Sequence, residues 1–256
     1  MSSLSCYAKI QYDGTRFCGW QRQKTERTVQ GEIEKVLEKL TGEHTGVVAA
    51  GRTDTGVHAL AQYISFDVAN RWSPSVLQRA LNSLLPADIW IASVGIAPPG
   101  FNARKDAATR RYHYVIGTDT AARSPFRRMR EWALCSDLNT ELLSKAAQHF
   151  LGEHDFRGYS AVSPGKRHYR CTVSGAMWHE RSEEKGIIFE VEADRFLHRM
   201  VRFMVGTMID VGTKRRALED IFEILQTADN SRASPPAPPH GLYLIGVTYP
   251  QLTKVS

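Results

Sequence analysis

A guanidinium, a carboxylate and an imidazole fall within seven residues, Arg52-Thr53-Asp54-Thr55-Gly56-Val57-His58. Such a set can steer an anion, move a proton or attack an electrophilic carbon. Apolar, strand-like runs flank it, residues 47–50 leading in and residues 60–66 leading out in period-2 alternation. Gly51 and Gly56 bracket Asp54, and glycine admits turn conformations that other residues resist. The bland alternative is a surface hairpin with a solvated Asp and Arg. His58 has no metal-ligand spacing around it and reads as a structural hydrogen-bonder.

Two further side chains invite chemistry. On a helical wheel, His198, Arg199, Arg202 and Gly206 share one narrow stripe, while Met200, Val201, Phe203, Met204, Val205, Met208, Ile209 and Val211 fill the rest. A helix so apolar is buried, so Arg202 is expected to be partly desolvated and to need an anion. Asp210, a glutamate and an RNA phosphate are candidates for that role. In Arg110-Arg111-Tyr112-His113-Tyr114, strand alternation puts both tyrosines on one face and Arg111 and His113 on the other. Aromatics beside arginines often hold unstacked bases; Tyr114 reads better as core.

The elements that must position these residues follow from pattern. Residues 7–12 alternate as a strand and end in a turn at Asp13-Gly14. Thr28 can cap a helix in which Val29, Ile33, Val36, Leu37 and Leu40 recur at helical spacing. The strands around the Asp54 loop come next, then a helix opened by Ser73-Pro74 and stopped by Pro86, then a strand over 89–96. This strand–helix–strand–strand–helix–strand order is the split pattern of a ferredoxin-like unit. Pro98-Pro99-Gly100 is the expected hinge, dividing the chain into 1–100 and 101–256. Beyond it the pattern gives strands over 111–117, 172–178, 186–193 and 242–249, and helices over 139–150, 198–211 and 218–226. Residues 234–240, with Pro235, Pro236, Pro238 and Pro239, read as an exposed, stiff connecting loop.

Composition narrows the class. Of the 256 residues, 42% are hydrophobic and 23% charged, ordinary for a soluble globular protein. The formal charge of +6 favours an anionic partner. Arg104, Lys105, Arg110, Arg111, Arg123, Arg127, Arg128 and Arg130 face only Asp106 and Asp119 over residues 104–130. Arg195, Arg199, Arg202, Lys214, Arg215 and Arg216 form a second cluster, and clustered arginine is the expected footprint of phosphate binding. The four cysteines are scattered without CxxC spacing, which favours a reducing cytoplasm over a zinc or disulfide framework. No apolar run approaches membrane-spanning length, and the N-terminal residues are too polar for a signal peptide.

The run Gly51-Arg52-Thr53-Asp54-Thr55-Gly56-Val57-His58-Ala59 resembles the signature of the TruA family of tRNA pseudouridine synthases, in which the Asp is catalytic. Further matches follow in the family's order: Tyr12-Asp13-Gly14-Thr15, Gly19-Trp20-Gln21, Phe101-Asn102-Ala103-Arg104, Arg110-Arg111-Tyr112, Phe196-Leu197-His198-Arg199-Met200-Val201-Arg202, and Ala237-Pro238 before Gly241-Leu242. The resemblance spans about residues 7–249. It implies an α+β pseudouridine synthase fold, two ferredoxin-like (RRM-like) halves joined through a mainly antiparallel sheet, with Asp54 in a basic cleft. It implies isomerisation of uridine to pseudouridine at nucleotides 38, 39 and 40 of the tRNA anticodon arm by a cytoplasmic homodimer, without metal or cofactor. Asp54, Tyr112 and Arg202 become the catalytic candidates, Arg202 beside Asp54 and Tyr112 as base-stacker or acid/base. Arg52, Arg104, Arg110, Arg111, Arg199 and again Tyr112 become candidate RNA contacts, Arg52 helping to hold a flipped-out nucleotide.

Two other motifs fail on the residue that matters. Asp54-Thr55-Gly56 spells the aspartic-protease triplet, but Arg52 and Thr53 stand where apolar residues belong and the triplet occurs once. Tyr12-Asp13-Gly14-Thr15 approaches a phosphatase loop, but Gln11 occupies the nucleophile's position. The remaining alternative is a non-catalytic RNA-binding module in which Asp54 only orders its loop.

Overall fold

The computed structural model describes residues 3–69, 71–161 and 168–252; residues 1–2 of the polar N-terminus lie outside them. The chain forms two compact units. The first holds the described residues up to Ala108 and those from Leu244 onward; the second is Thr109–Tyr243. The expected hinge at Pro98-Pro99-Gly100 thus lies inside the first unit.

In the first unit β1 (Ser3–Tyr12) leads through a single turn to α1 (Val29–Thr41), β2 (Val48–Ala49), β3 (His58–Ala69), α2 (Pro74–Leu84) and β4 (Ile89–Ile96). β1 pairs antiparallel with both β3 and β4, and β2 pairs antiparallel with β3. The Thr28 hydroxyl accepts from the Gly31 amide, as its capping position requires, and Gly42 ends α1 in the left-handed conformation. Cys6, Ala8, Ile10 and Tyr12 alternate inward along β1, and Ile33, Leu37, Leu77 and Leu81 of the helices are fully buried. α2 is stitched to β4 by polar groups: the Asn82 amide both donates to the Ile91 carbonyl at 2.9 Å and accepts from its N–H at 2.8 Å.

The second unit runs β5 (Thr109–Gly117), β6 (Trp132–Ala133), α3 (Thr140–Gln148), β7 (Gly152–Asp155), β8 (Arg170–Glu180), β9 (Gly186–Ala193), α4 (Met200–Gly212) and α5 (Glu219–Thr227). Its strands lie in the order β5-β9-β8-β7, all antiparallel, with β6 parallel to β5. α4 is buried on nearly every side, as its apolar wheel requires. It starts at Met200, not His198, because Arg199 takes a left-handed backbone, φ 62°. The last strand, β10 (Leu242–Thr248), brings the chain back to the first unit beside β3. There Tyr249 packs with Ala50 and Ala107, and its hydroxyl donates to the Ala103 carbonyl at 2.5 Å. The architecture is mixed α+β with mainly antiparallel pairing. Among the described residues no helix is long and apolar enough to cross a membrane.

Candidate active site

The Asp54 loop joins β2 to β3 and is held by hydrogen bonds to both side-chain and backbone groups of neighbouring segments. The buried Gln62 amide brackets Gly51, donating to its carbonyl at 2.8 Å and accepting from its N–H at 3.4 Å. The Thr53 hydroxyl shares a 2.8 Å hydrogen bond with the buried Tyr12 hydroxyl, and the Thr53 carbonyl accepts from the Trp20 amide at 3.0 Å. The Val57 amide donates to the Asp54 carbonyl at 3.1 Å, closing a turn whose third residue, Gly56, has φ 78°. A positive φ at that position is the reason for glycine there. The Gly56 amide donates in turn to the Phe17 carbonyl at 3.3 Å. Gly19, φ 82°, lies so close that a Cβ on it would sit 2.7 Å from the Thr53 carbonyl oxygen.

Burial pushes the Tyr12 hydroxyl up to about 12, against the hydrogen bonds to Thr53 and Gln62. The phenol is therefore neutral at physiological pH. His58 is 3% exposed, and its Nδ1 accepts from the Gly14 amide at 3.1 Å. The same nitrogen lies 3.3 Å from the Asp13 Oδ1. Asp13 makes the expected turn, its Oδ1 accepting from the Thr15 amide at 3.0 Å. Within this frame Asp54 is partly buried and Arg52 is exposed. Arg104 is also exposed, on a turn in which the Asn102 side chain accepts from the Arg104 and Lys105 amides.

In the second unit, Tyr112 is 7% exposed and meets the Phe196 ring edge-to-face at 5.0 Å. Tyr114 is fully buried, as expected of core, but its hydroxyl also donates to the Pro238 carbonyl at 2.7 Å. On the opposite face Arg111 donates to Glu192 at 2.7 Å and His113 pairs with Glu190 at 2.7 Å. Arg110 donates to the Asp194 carbonyl at 2.7 Å. Arg199 is exposed at the start of α4, and Arg202 is partly buried in its first turn. The Arg202 Nε donates to the Ala237 carbonyl at 2.7 Å. Asp210, more than two helical turns beyond Arg202, accepts from Arg215 at 2.6 Å.

Two expectations need correction. Residues 234–240 are not an exposed connector, since Ser234 and Ala237 are 3% and 2% exposed and the segment is bonded to α4 and β5. The arginine cluster over 104–130 is also less open than its sequence suggests. Arg127 lies in an internal ion cluster with Asp119 at 3.1 Å and with the buried Glu131 at 2.6 Å, which also takes Arg181. The acids that meet Arg111 and His113 come from β9 through cross-strand register and are invisible to local charge counting. Sequence reasoning assigned no site role to Gln62, Tyr12 or Phe196. An isolated glutamine inside the apolar run of β3 was the available signal for the first. Among the described residues no group of three or more His, Cys, Asp or Glu side chains could hold a metal ion.

These features belong to a class. A family profile described as tRNA pseudouridine synthase matches residues 8–104 and 146–250, and the chain belongs to this family of enzymes. Curated relatives called tRNA pseudouridine synthase A include one from Pseudoalteromonas atlantica, 38% identical over 94% of this chain and 91% of the relative. Others come from Thermoanaerobacter sp. strain X514, 38% identical over 94% and 97%, and Dictyoglomus thermophilum, 40% identical over 94% and 98%.

Proposed function

We propose that this chain isomerises uridine to pseudouridine in the anticodon arm of tRNA, at nucleotides 38, 39 and 40, with Asp54 as the catalytic carboxylate. The observation that carries the reading is the loop: in a tRNA pseudouridine synthase, the signature carboxylate rides a turn anchored at Gly51, Thr53 and Gly56. The reaction breaks the bond between the anomeric carbon and N1, turns the uracil, and joins the same carbon to C5. The C5 proton is lost and N1 gains one, so atoms balance and no redox partner is needed. Asp54 attacks the anomeric carbon or the pyrimidine ring, or removes a ribose proton on the way to a glycal. Carboxylate attack at a glycosidic carbon has precedent in retaining glycosidases.

The target base must leave its stack, at a cost of a few kcal/mol. Arg52 fills the gap and Tyr112 stacks on the base or moves a proton. Arg202 steers the Asp54 carboxylate, and Arg104, Arg110, Arg111 and Arg199 contact the RNA backbone. We read the two units as ferredoxin-like halves of a pseudouridine synthase fold that acts as a cytoplasmic homodimer. For the first unit, the support is that β1 lies between β4 and β3 and that β2 pairs with β3, the neighbours expected in a ferredoxin-like half. The test uses unmodified tRNA and anticodon stem-loops carrying uridine at only one of the three positions. Pseudouridine is expected at each, and none with Asp54→Asn. Wild-type binding without turnover would leave an RNA-binding module.

A further inference from the structure

The proline-rich segment lies as a strap along the first turns of α4. The Ser234 amide donates to the Thr207 hydroxyl at 3.3 Å. The Pro235 carbonyl crosses Gly206 so closely that a Cβ there would overlap its oxygen. The Ala237 amide donates to the Arg202 carbonyl at 2.9 Å, and the Ala237 carbonyl accepts from Arg202 Nε at 2.7 Å. One residue of the strap therefore grips both the main chain and the side chain of one arginine. At the far end the Tyr114 hydroxyl holds the Pro238 carbonyl at 2.7 Å. Burial raises the Tyr114 hydroxyl well above its ordinary range, while the Arg202 charge acts to lower it.

An arginine side chain has several rotatable bonds, and its fork is useful to an anion only when aimed. Bonding Nε fixes the plane of the guanidinium and leaves the aim of its two terminal nitrogens set. Prolines at 235, 236, 238 and 239 restrict the strap in the unfolded chain too, so ordering it costs little entropy. Glycine at 206 is the residue that lets a carbonyl pass this close to the helix.

We infer that the strap is a positioning device for Arg202: the Ala237 carbonyl aims the guanidinium, and Gly206 and Tyr114 hold that carbonyl in place. This rests on Arg202 serving the reaction as described under Proposed function. Gly206→Ala should lower the single-turnover rate about tenfold or more, as small misplacements of a catalytic group do, while tRNA affinity changes less than about twofold. Tyr114→Phe should act in the same direction and more weakly.

The decisive measurement is a double-mutant cycle with Arg202→Lys, which keeps the charge but has no Nε–H for Ala237. The rate loss from Gly206→Ala should largely vanish in the Arg202→Lys background. Additive losses would mean that the strap only supports the fold, and would overturn the inference. So would a Gly206→Ala enzyme of undiminished rate beside a crippled Arg202→Met enzyme. An Arg202→Met enzyme of normal rate would instead remove Arg202 from the reaction itself. Should Gly206→Ala not fold, Tyr114→Phe takes its place in the cycle, with the same outcomes deciding.

Discussion

The Asp54 loop and the first turn of α4 each present one charged group, but they are held differently. The loop has no regular structure and borrows its order from Tyr12, Phe17, Trp20 and Gln62 through several separate hydrogen bonds. Arg202 stands on a helix that is buried almost all round, and its Nε donates to the Ala237 carbonyl. Distributed anchoring of this kind should degrade step by step under mutation, whereas the arginine is gripped through main chain and side chain by one residue of the strap. A flexible segment can carry a reactive group provided that many weak tethers share the load.

Removing the charges themselves has the largest expected effect. Asp54→Asn should abolish pseudouridine formation while tRNA affinity stays within about tenfold, because phosphate contacts supply most of the binding. Arg202→Met keeps the helix packed and should reduce turnover more than affinity. If Arg202→Met weakened binding alone, with chemistry intact, the arginine would be a phosphate contact and the two regions would not serve one reaction.

Tyr112 follows. If its hydroxyl moves a proton, Tyr112→Phe should lose about 100-fold or more in turnover with little change in binding. If it only stacks, Phe retains activity and Ala loses roughly 1–3 kcal/mol of base contact. We expect the former. Its ring already meets Phe196 edge-to-face, so one of its faces or edges is occupied before any base arrives.

Cutting single tethers of the Asp54 loop tests whether its anchoring is shared. Gln62→Leu leaves the Gly51 amide and carbonyl without their buried partner, a loss of about 1–3 kcal/mol in denaturant unfolding. Tyr12→Phe removes the hydroxyl's hydrogen bonds to Thr53 and Gln62 and should cost about 1–3 kcal/mol, with partial turnover retained. A complete loss of turnover in a folded Tyr12→Phe enzyme would break the picture of distributed support. Tyr12 also carries a pH signature. Its folded pKa, about 12, lies above the ordinary value of 10.0. The neutral form is favoured by folding, so this stabilisation is complete below about pH 10 and is lost as pH rises through 12. The alkaline loss should shrink in Tyr12→Phe.

The sequence carried these regions to different depths. The Asp54 loop was legible because glycines, a carboxylate and flanking alternation are all local. The Thr28 cap, the bounds of β4 and β9 and the faces of β5 were legible for the same reason. The strap was misjudged because proline content reports stiffness, whereas burial depends on what α4 offers thirty residues earlier, namely Gly206 and the Arg202 carbonyl. β6 and β7, two and four residues long, carry too little pattern to stand out.

Charge was the other blind spot, and it supplies the smallest effect. Arg111 is exposed but bound to Glu192, which holds its guanidinium above the usual range through that hydrogen bond. A phosphate competing for Arg111 must share it with a carboxylate already in place, so the net charge it meets is near zero. Replacing an arginine that fully neutralises one phosphate should lower the salt slope of binding by about 1. Arg111→Ala should change the slope by a fraction of that value and affinity by about twofold or less. The measurement is tRNA affinity at several salt concentrations for the wild type and Arg111→Ala. A full unit lost with Arg111→Ala would mean that Glu192 releases the arginine to RNA, and that the β5 face is an RNA surface after all.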